Sequence, residues 1–135
     1  MSKNINYIMM FKDYSEAIIE MKYENRAADS IFMYLALNCD RINHIRISIA
    51  KLCEFTKFSD KHVRNGIKYL IKNGWIERIK DPGQLVYTYI LNPCVVWSRD
   101  ADDAWMAGFT YSQADRYPER NSTYSVKAHY IKENI

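Results

Sequence analysis

The chain has 135 residues, 48% hydrophobic and 26% charged, which is enough for one folded domain with a real core and too mixed for a disordered or fibrous chain. Its net charge of +3 is modest, so the total alone excludes little about partners. Cys39, Cys53 and Cys94 form no C-x-x-C pair and argue against a disulfide framework or zinc knuckle. No apolar run reaches membrane-spanning length, so the expectation is a cytoplasmic protein with reduced thiols.

Residues 5–11 (INYIMMF) are expected to be a short extended segment, too short for a signal-peptide core. The run from Asp13 to Asp40 reads as helical in two pieces. Ile18, Ile19 and Met21 lie in the first, and Asn25 is placed to cap the second. In that second piece Ala28, Ile31, Phe32 and Leu35 follow the i, i+3, i+4, i+7 spacing of an apolar helix stripe. NHIRIS (43–48) alternates Ile45 and Ile47 with polar residues, the period of a short strand. Ser48 then caps IAKLCEF, with Ile49, Leu52 and Cys53 turned inward, and the helix breaks at Thr56-Lys57-Phe58.

Ser59 is the expected N-cap of the next helix. Phe58 before it and Val63 after it stand at the two positions of a hydrophobic staple. Val63, Ile67, Leu70 and Ile71 make the buried stripe, and Lys61, Arg64, Asn65, Lys68 and Lys72 fall on the other side. Gly66 inside this helix predicts close packing against the preceding helix, and Gly74 supplies the left-handed residue that ends it. WIERIK and LVYTYIL then read as two strands joined at Asp81-Pro82-Gly83-Gln84, a type II turn pattern, and Asn92-Pro93 stops the second. The expected fold class is α+β, mainly α: a winged helix-turn-helix with a two-stranded wing and extra N- and C-terminal segments.

Residues 57–80 hold seven basic and two acidic side chains, a local +5 that leaves the rest of the chain near −2. Such concentration of charge on one helix and hairpin is a cue for nucleic acid. Lys61, His62, Arg64 and Asn65 occupy the N-terminal half of the basic helix, the part that meets base edges in the major groove. Arg can donate twice to guanine and Asn can pair with adenine. Lys57, Lys68 and Lys72 suit phosphates, and Ser48 and Ser59 at helix starts bring backbone amides to the same partner. Arg78, Lys80 and Gln84 lie near the hairpin tip, where backbone or minor-groove contact is natural. A basic face is also what an ordinary solvated helix presents; the coincidence of stripe, motif and hairpin bases favours double-stranded DNA. Trp75 fits the core better than base stacking.

Catalysis has little support. His44, His62 and His129 are scattered without Cys or carboxylate at metal-ligand spacing, and Asp100, Asp102 and Asp103 lack the Gly and Glu of a calcium loop. No enzymatic activity, metal or cofactor is expected. Residues 100–135 carry six acids, four bases and scattered aromatics, among them Trp105, Phe109, Tyr111, Tyr117, Tyr124 and Tyr130. The expectation is two units, a DNA-binding domain over 1–99 and an aromatic extension over 100–135. In the extension, Trp105 is expected to pair with Phe109 on a short helix, and the alternation at Tyr124, Val126, Ala128 and Tyr130 to add a strand beside residues 5–11, the termini forming a homodimer contact or else wrapping their own domain.

SDKHVRNGIKYLIKNGWIERI, then a hairpin, then YILNPCVVW, resembles the RepL-type replication proteins of plasmids and related plasmid and phage winged-helix proteins. Leu70, Lys72, Gly74, Ile76, Arg78, Ile79, Tyr89, Leu91, Asn92 and Pro93 carry the likeness, which spans residues 5–99. It implies DNA binding on a mobile element, in replication initiation or its control. A plasmid or phage transcription regulator and a winged helix that docks protein instead of DNA are the alternatives.

Overall fold

The computed structural model of the chain describes residues 9–10, 15–80, 82–93, 95–97 and 108. Its elements run β1 (Met9–Met10), α1 (Ser15–Glu24), α2 (Arg26–Asn38), β2 (His44–Arg46), α3 (Ile49–Thr56), α4 (Asp60–Lys72), β3 (Ile76–Ile79), β4 (Thr88–Leu91) and β5 (Val96–Trp97). The described part is mixed α+β and mainly helical, with a small antiparallel sheet of order β2-β4-β3 and a separate β1–β5 pair.

Local chemistry sets most boundaries. Asn25 turns out of the helical region and its side chain accepts from Ala28 N at 3.0 Å, so one apolar run becomes two helices. Ser48 accepts from Lys51 N at 3.1 Å and Ser59 from His62 N at 3.2 Å, each satisfying an otherwise orphan amide. Phe58 and Val63 both pack in the core on either side of the Ser59 cap, as a staple requires. Helix α4 ends in a Schellman motif: Gly74 takes φ +80°, its amide donates to Ile71 O, and Trp75 N donates to Leu70 O at 2.9 Å.

The core forms where the stripes of α2 and α4 meet. Ile31, Phe32 and Leu35 from α2 and Val63, Ile67 and Leu70 from α4 are fully buried, with Trp75 edge-on to Phe32 at 5.1 Å between ring centres. Each such side chain is worth about 1.5–3 kcal/mol of burial. Ile71 is only half-buried, because the stripe of α4 centres one step away, on Gly66 and Leu70. Gly66 does pack closely, but on α2 and not on the immediately preceding α3: a Cβ there would stand 3.0 Å from Ala28 N and 3.2 Å from the Ala27 carbonyl carbon. At the edge of this bundle the Tyr69 hydroxyl donates to Glu24 at 2.7 Å, tying α4 to α1.

The hairpin is more open than the sequence implies. β3 and β4 pair from Ile76↔Leu91 to Ile79↔Thr88, so the connection runs from Lys80 to Tyr87 instead of the expected four-residue turn. Gly83 has the φ of +82° that the turn demands. Tyr87, however, gives its carbonyl to Ile47 N at 3.4 Å, on the β2 side, and Leu85 stands 91% exposed instead of joining a ladder.

Asn43 joins the two sheets. It is fully buried with φ +66°, and its Nδ2 donates to Leu91 O at 2.9 Å and Val96 O at 3.0 Å. Asn92 does similar work, donating from Nδ2 to Gly74 O at 2.8 Å, while its own carbonyl accepts from Val95 and Val96. Residues 9–10 pair antiparallel with Val96–Trp97, a partner that residues 5–11 were not expected to have. The expected pairing of Trp105 with Phe109 and the late strand over 124–130 lie outside the described residues. No helix among the described residues is long and apolar enough to cross a membrane.

Candidate nucleic-acid interface

Helix α4 divides cleanly. Val63, Gly66, Ile67 and Leu70 are buried, while Asp60, Lys61, His62, Arg64, Asn65, Lys68 and Lys72 are exposed. Packing on α2 thus consumes one stripe and leaves four cations and an amide facing outward from one rigid element. The helix dipole agrees with the ends: Asp60 lies in the first turn and Lys72 in the last. At the N-terminus Ser59 Oγ and His62 Nδ1 share a hydrogen bond at 2.9 Å, and the His62 ring stands edge-on to Phe58 at 6.3 Å. The imidazole is therefore fixed over the helix start.

Arg64 is already engaged. Its Nε donates to Asp60 Oδ2 at 2.7 Å across one helical turn, with both side chains more than half exposed. This contact raises the Arg64 pKa above the ordinary arginine value, so the guanidinium holds its proton still more firmly. The i, i+4 spacing is visible in the sequence, where Asp60 counts only as a negative charge.

The turn between α3 and α4 is built on Lys57, which sits in the left-handed region at φ +68° while its amide donates to Cys53 O at 2.9 Å. Its exposed side chain leaves the turn beside the α4 cap. Ser48 is half-buried at the start of α3, so its contribution is the cap and the amides it organises more than a reaching hydroxyl.

On the hairpin, Arg78 and Lys80 share one aromatic base plate. The Arg78 guanidinium lies 4.3 Å from the Tyr87 ring centre and the Lys80 ammonium 5.5 Å from it. Two exposed cations are thereby gathered on a ring that carries no charge itself. Gln84 is half-buried in the loop beyond them. Beneath lies Tyr89, whose buried hydroxyl makes no hydrogen bond of good geometry among the described residues. Burial raises its pKa, so the hydroxyl holds its proton more tightly, while Arg78 and more weakly Arg64 act in the opposite sense.

Sequence reasoning did not single out Asp60, Tyr87 or two further cations. Arg46, exposed on β2, donates from Nε to Thr88 Oγ1 at 3.5 Å. Lys51 lies 5.7 Å from the Phe55 ring, which itself stacks on Tyr34 at 4.8 Å. Tyr87 sits opposite the basic strand in an ordinary alternating run, so only its neighbours give it meaning. Among the described residues no group of three His, Cys, Asp or Glu side chains is arranged to hold a metal ion. No family model, curated protein or solved structure matches the chain.

Proposed function

We propose that this chain is a winged helix-turn-helix protein that binds double-stranded DNA with sequence preference, without enzymatic activity, and acts in plasmid replication initiation or its control. One observation carries the reading: α4 spends its apolar stripe on α2 and keeps Lys61, Arg64, Asn65, Lys68 and Lys72 exposed on one side. A helix of this width fits the major groove, with base contacts from its N-terminal half and phosphate contacts from its lysines. The order helix, strand, helix, turn, helix, hairpin and the sheet order β2-β4-β3 support the wing assignment. So do Arg78 and Lys80, gathered on Tyr87 where a wing meets DNA backbone or minor groove. The likeness of Leu70, Lys72, Gly74, Ile76, Arg78 and the Tyr89–Pro93 segment to RepL-type proteins directs the reading to a plasmid, in the cytoplasm. A single module buries little DNA surface, so the reading includes a homodimer on paired half-sites.

The test is binding of the full chain to mixed-sequence 30-base-pair duplexes over a salt series, followed by footprinting on the DNA upstream of its own gene. Binding that weakens steeply with salt and fails in a Lys61→Glu/Lys68→Glu/Lys72→Glu variant is expected. Protection at a replication origin identifies an initiator, and protection at a promoter a transcription regulator. No binding at low salt overturns the reading. Light scattering decides the dimer: a monomer at high concentration removes it.

A second reading has its own observation. Ile19 and Tyr23 on α1 and Leu37 on α2 are exposed, with Tyr23 at 85% and Leu37 at 70%. These belong to a winged helix that docks a protein. If that is the function, Tyr23→Ser and Leu37→Ser abolish it and the lysine variants do not.

A further inference from the structure

The only acid of α4 stands on the helix surface that carries its cations. On a DNA-binding helix a carboxylate near the leading end repels phosphate and so costs affinity, unless it acts through a neighbour. Its neighbour is Arg64, one turn on, whose Nε it holds at 2.7 Å. Resting on the DNA-binding reading above, we propose that Asp60 is a positioning residue that fixes Arg64 for recognition of a guanine in the major groove.

The donor geometry is specific. A guanidinium is a planar fork of five N–H donors, and occupying Nε leaves the two terminal nitrogens to point together away from Asp60. Two parallel donors match O6 and N7 of guanine, the pair of adjacent major-groove acceptors that no other base presents. The anchor also removes alternatives. An exposed arginine samples many rotamers, several of which reach phosphate and carry no sequence information. Holding Nε selects among them before DNA arrives, so the ordering cost falls on folding and not on binding.

Asp60 acts on wrong sequences as well. Where no guanine accepts from Arg64, the pair approaches the DNA with little net charge and the carboxylate still repels phosphate. Attraction to one base is thus joined to a penalty elsewhere, the two components of specificity. Placement in the first turn lets the same carboxylate stabilise the helix end, which makes a purely structural role the alternative to be excluded.

The test uses the full chain and a randomised 20-base-pair duplex pool, with sequencing after selection by wild type, Asp60→Asn, Asp60→Glu and Arg64→Ala. Asparagine keeps the size of the side chain and is well tolerated at a helix start. A poly(dA)·poly(dT) duplex serves as a guanine-free probe. Wild type is expected to enrich one guanine position, and Asp60→Asn and Arg64→Ala to lose that preference at the same position on the order of tenfold. Asp60→Asn should bind the guanine-free duplex a few-fold more tightly than wild type, Arg64→Ala more weakly, and Asp60→Glu should keep part of the guanine preference. Retention of the full preference in Asp60→Asn overturns the proposal. So does a change at a cytosine position, which means Asp60 reads a base itself, or an equal loss on every sequence, which means it only supports the helix. In all of these the DNA-binding reading stands. Failure of wild type to enrich any sequence removes both.

Discussion

A methyl group on Gly66 would stand 3.0 Å from the backbone nitrogen of Ala28 and 2.9 Å from Ile31 Cδ1. The Ile31 methyl can swing aside, but the α2 backbone can retreat only by moving the helix. Gly66→Ala gains up to about 1 kcal/mol of helix propensity and loses about 1–3 kcal/mol to overpacking. A net loss of about 1 kcal/mol is expected in urea denaturation, where a glycine-to-alanine change in an open helix would stabilise. A more stable variant would show that α2 and α4 separate without cost.

Arg64→Ala and Asn65→Ala should relax preference between cognate and scrambled duplexes on the order of tenfold each. Lys68→Ala and Lys72→Ala should weaken both duplexes alike, because a point charge on phosphate carries no sequence. Competition titrations measure the ratio. Equal losses from all four would reassign Arg64 and Asn65 to the backbone.

The hairpin separates charge from its support. Replacing Arg78 and Lys80 together should reduce the log–log salt slope by about one to two. Tyr87→Ala keeps both cations but removes the ring that gathers them. Affinity should then fall while the slope stays, and a slope that moves with Tyr87 would mean the ring itself meets DNA.

Lys57 offers a test of stability against binding at one position. A left-handed lysine costs about 1 kcal/mol relative to glycine, so Lys57→Gly relieves backbone strain while deleting a cation. The expected result is a melting temperature unchanged or higher with weaker DNA binding. A lower melting temperature would show that the side chain packs on the turn.

Burial pushes the Cys39 thiol from its usual 9.0 up to about 11, with the Asp40 carboxylate adding to it. The folded state therefore keeps a proton that the unfolded chain releases above its own value. Stability from this group is level below pH 9 and declines between 9 and about 11. At pH 8 the thiolate fraction is far below that of a free thiol, so iodoacetamide should modify Cys39 slowly in native protein and rapidly in urea. Equal rates would show an exposed sulfur.

The helices and their limits were legible because each is signalled within a few residues: Asn25, Ser48 and Ser59 at starts, Gly74 at an end, and the 3.6-residue stripe between. The basic face of α4 followed from the same periodicity, and Trp75 is buried as its preference for a core over base stacking implied. What could not be read depends on distant partners. The bonds from Asn43 to Leu91 and Val96 span 48 and 53 residues, and nothing near NHIRIS announces them. The early end of the hairpin at Ile79↔Thr88 and the grouping of Arg78 with Lys80 on the Tyr87 ring both need the strand register. The Asp60–Arg64 pair lay between these extremes, present in the spacing but given meaning only by the 2.7 Å contact.

Strands β1 and β5 run antiparallel with Met9 opposite Trp97. Backbones of paired strands are about 5 Å apart, so two positions separated by most of the described chain lie side by side. Pairing residues so far apart in sequence is a non-local contact, whose loop-closure entropy is part of what folding must overcome.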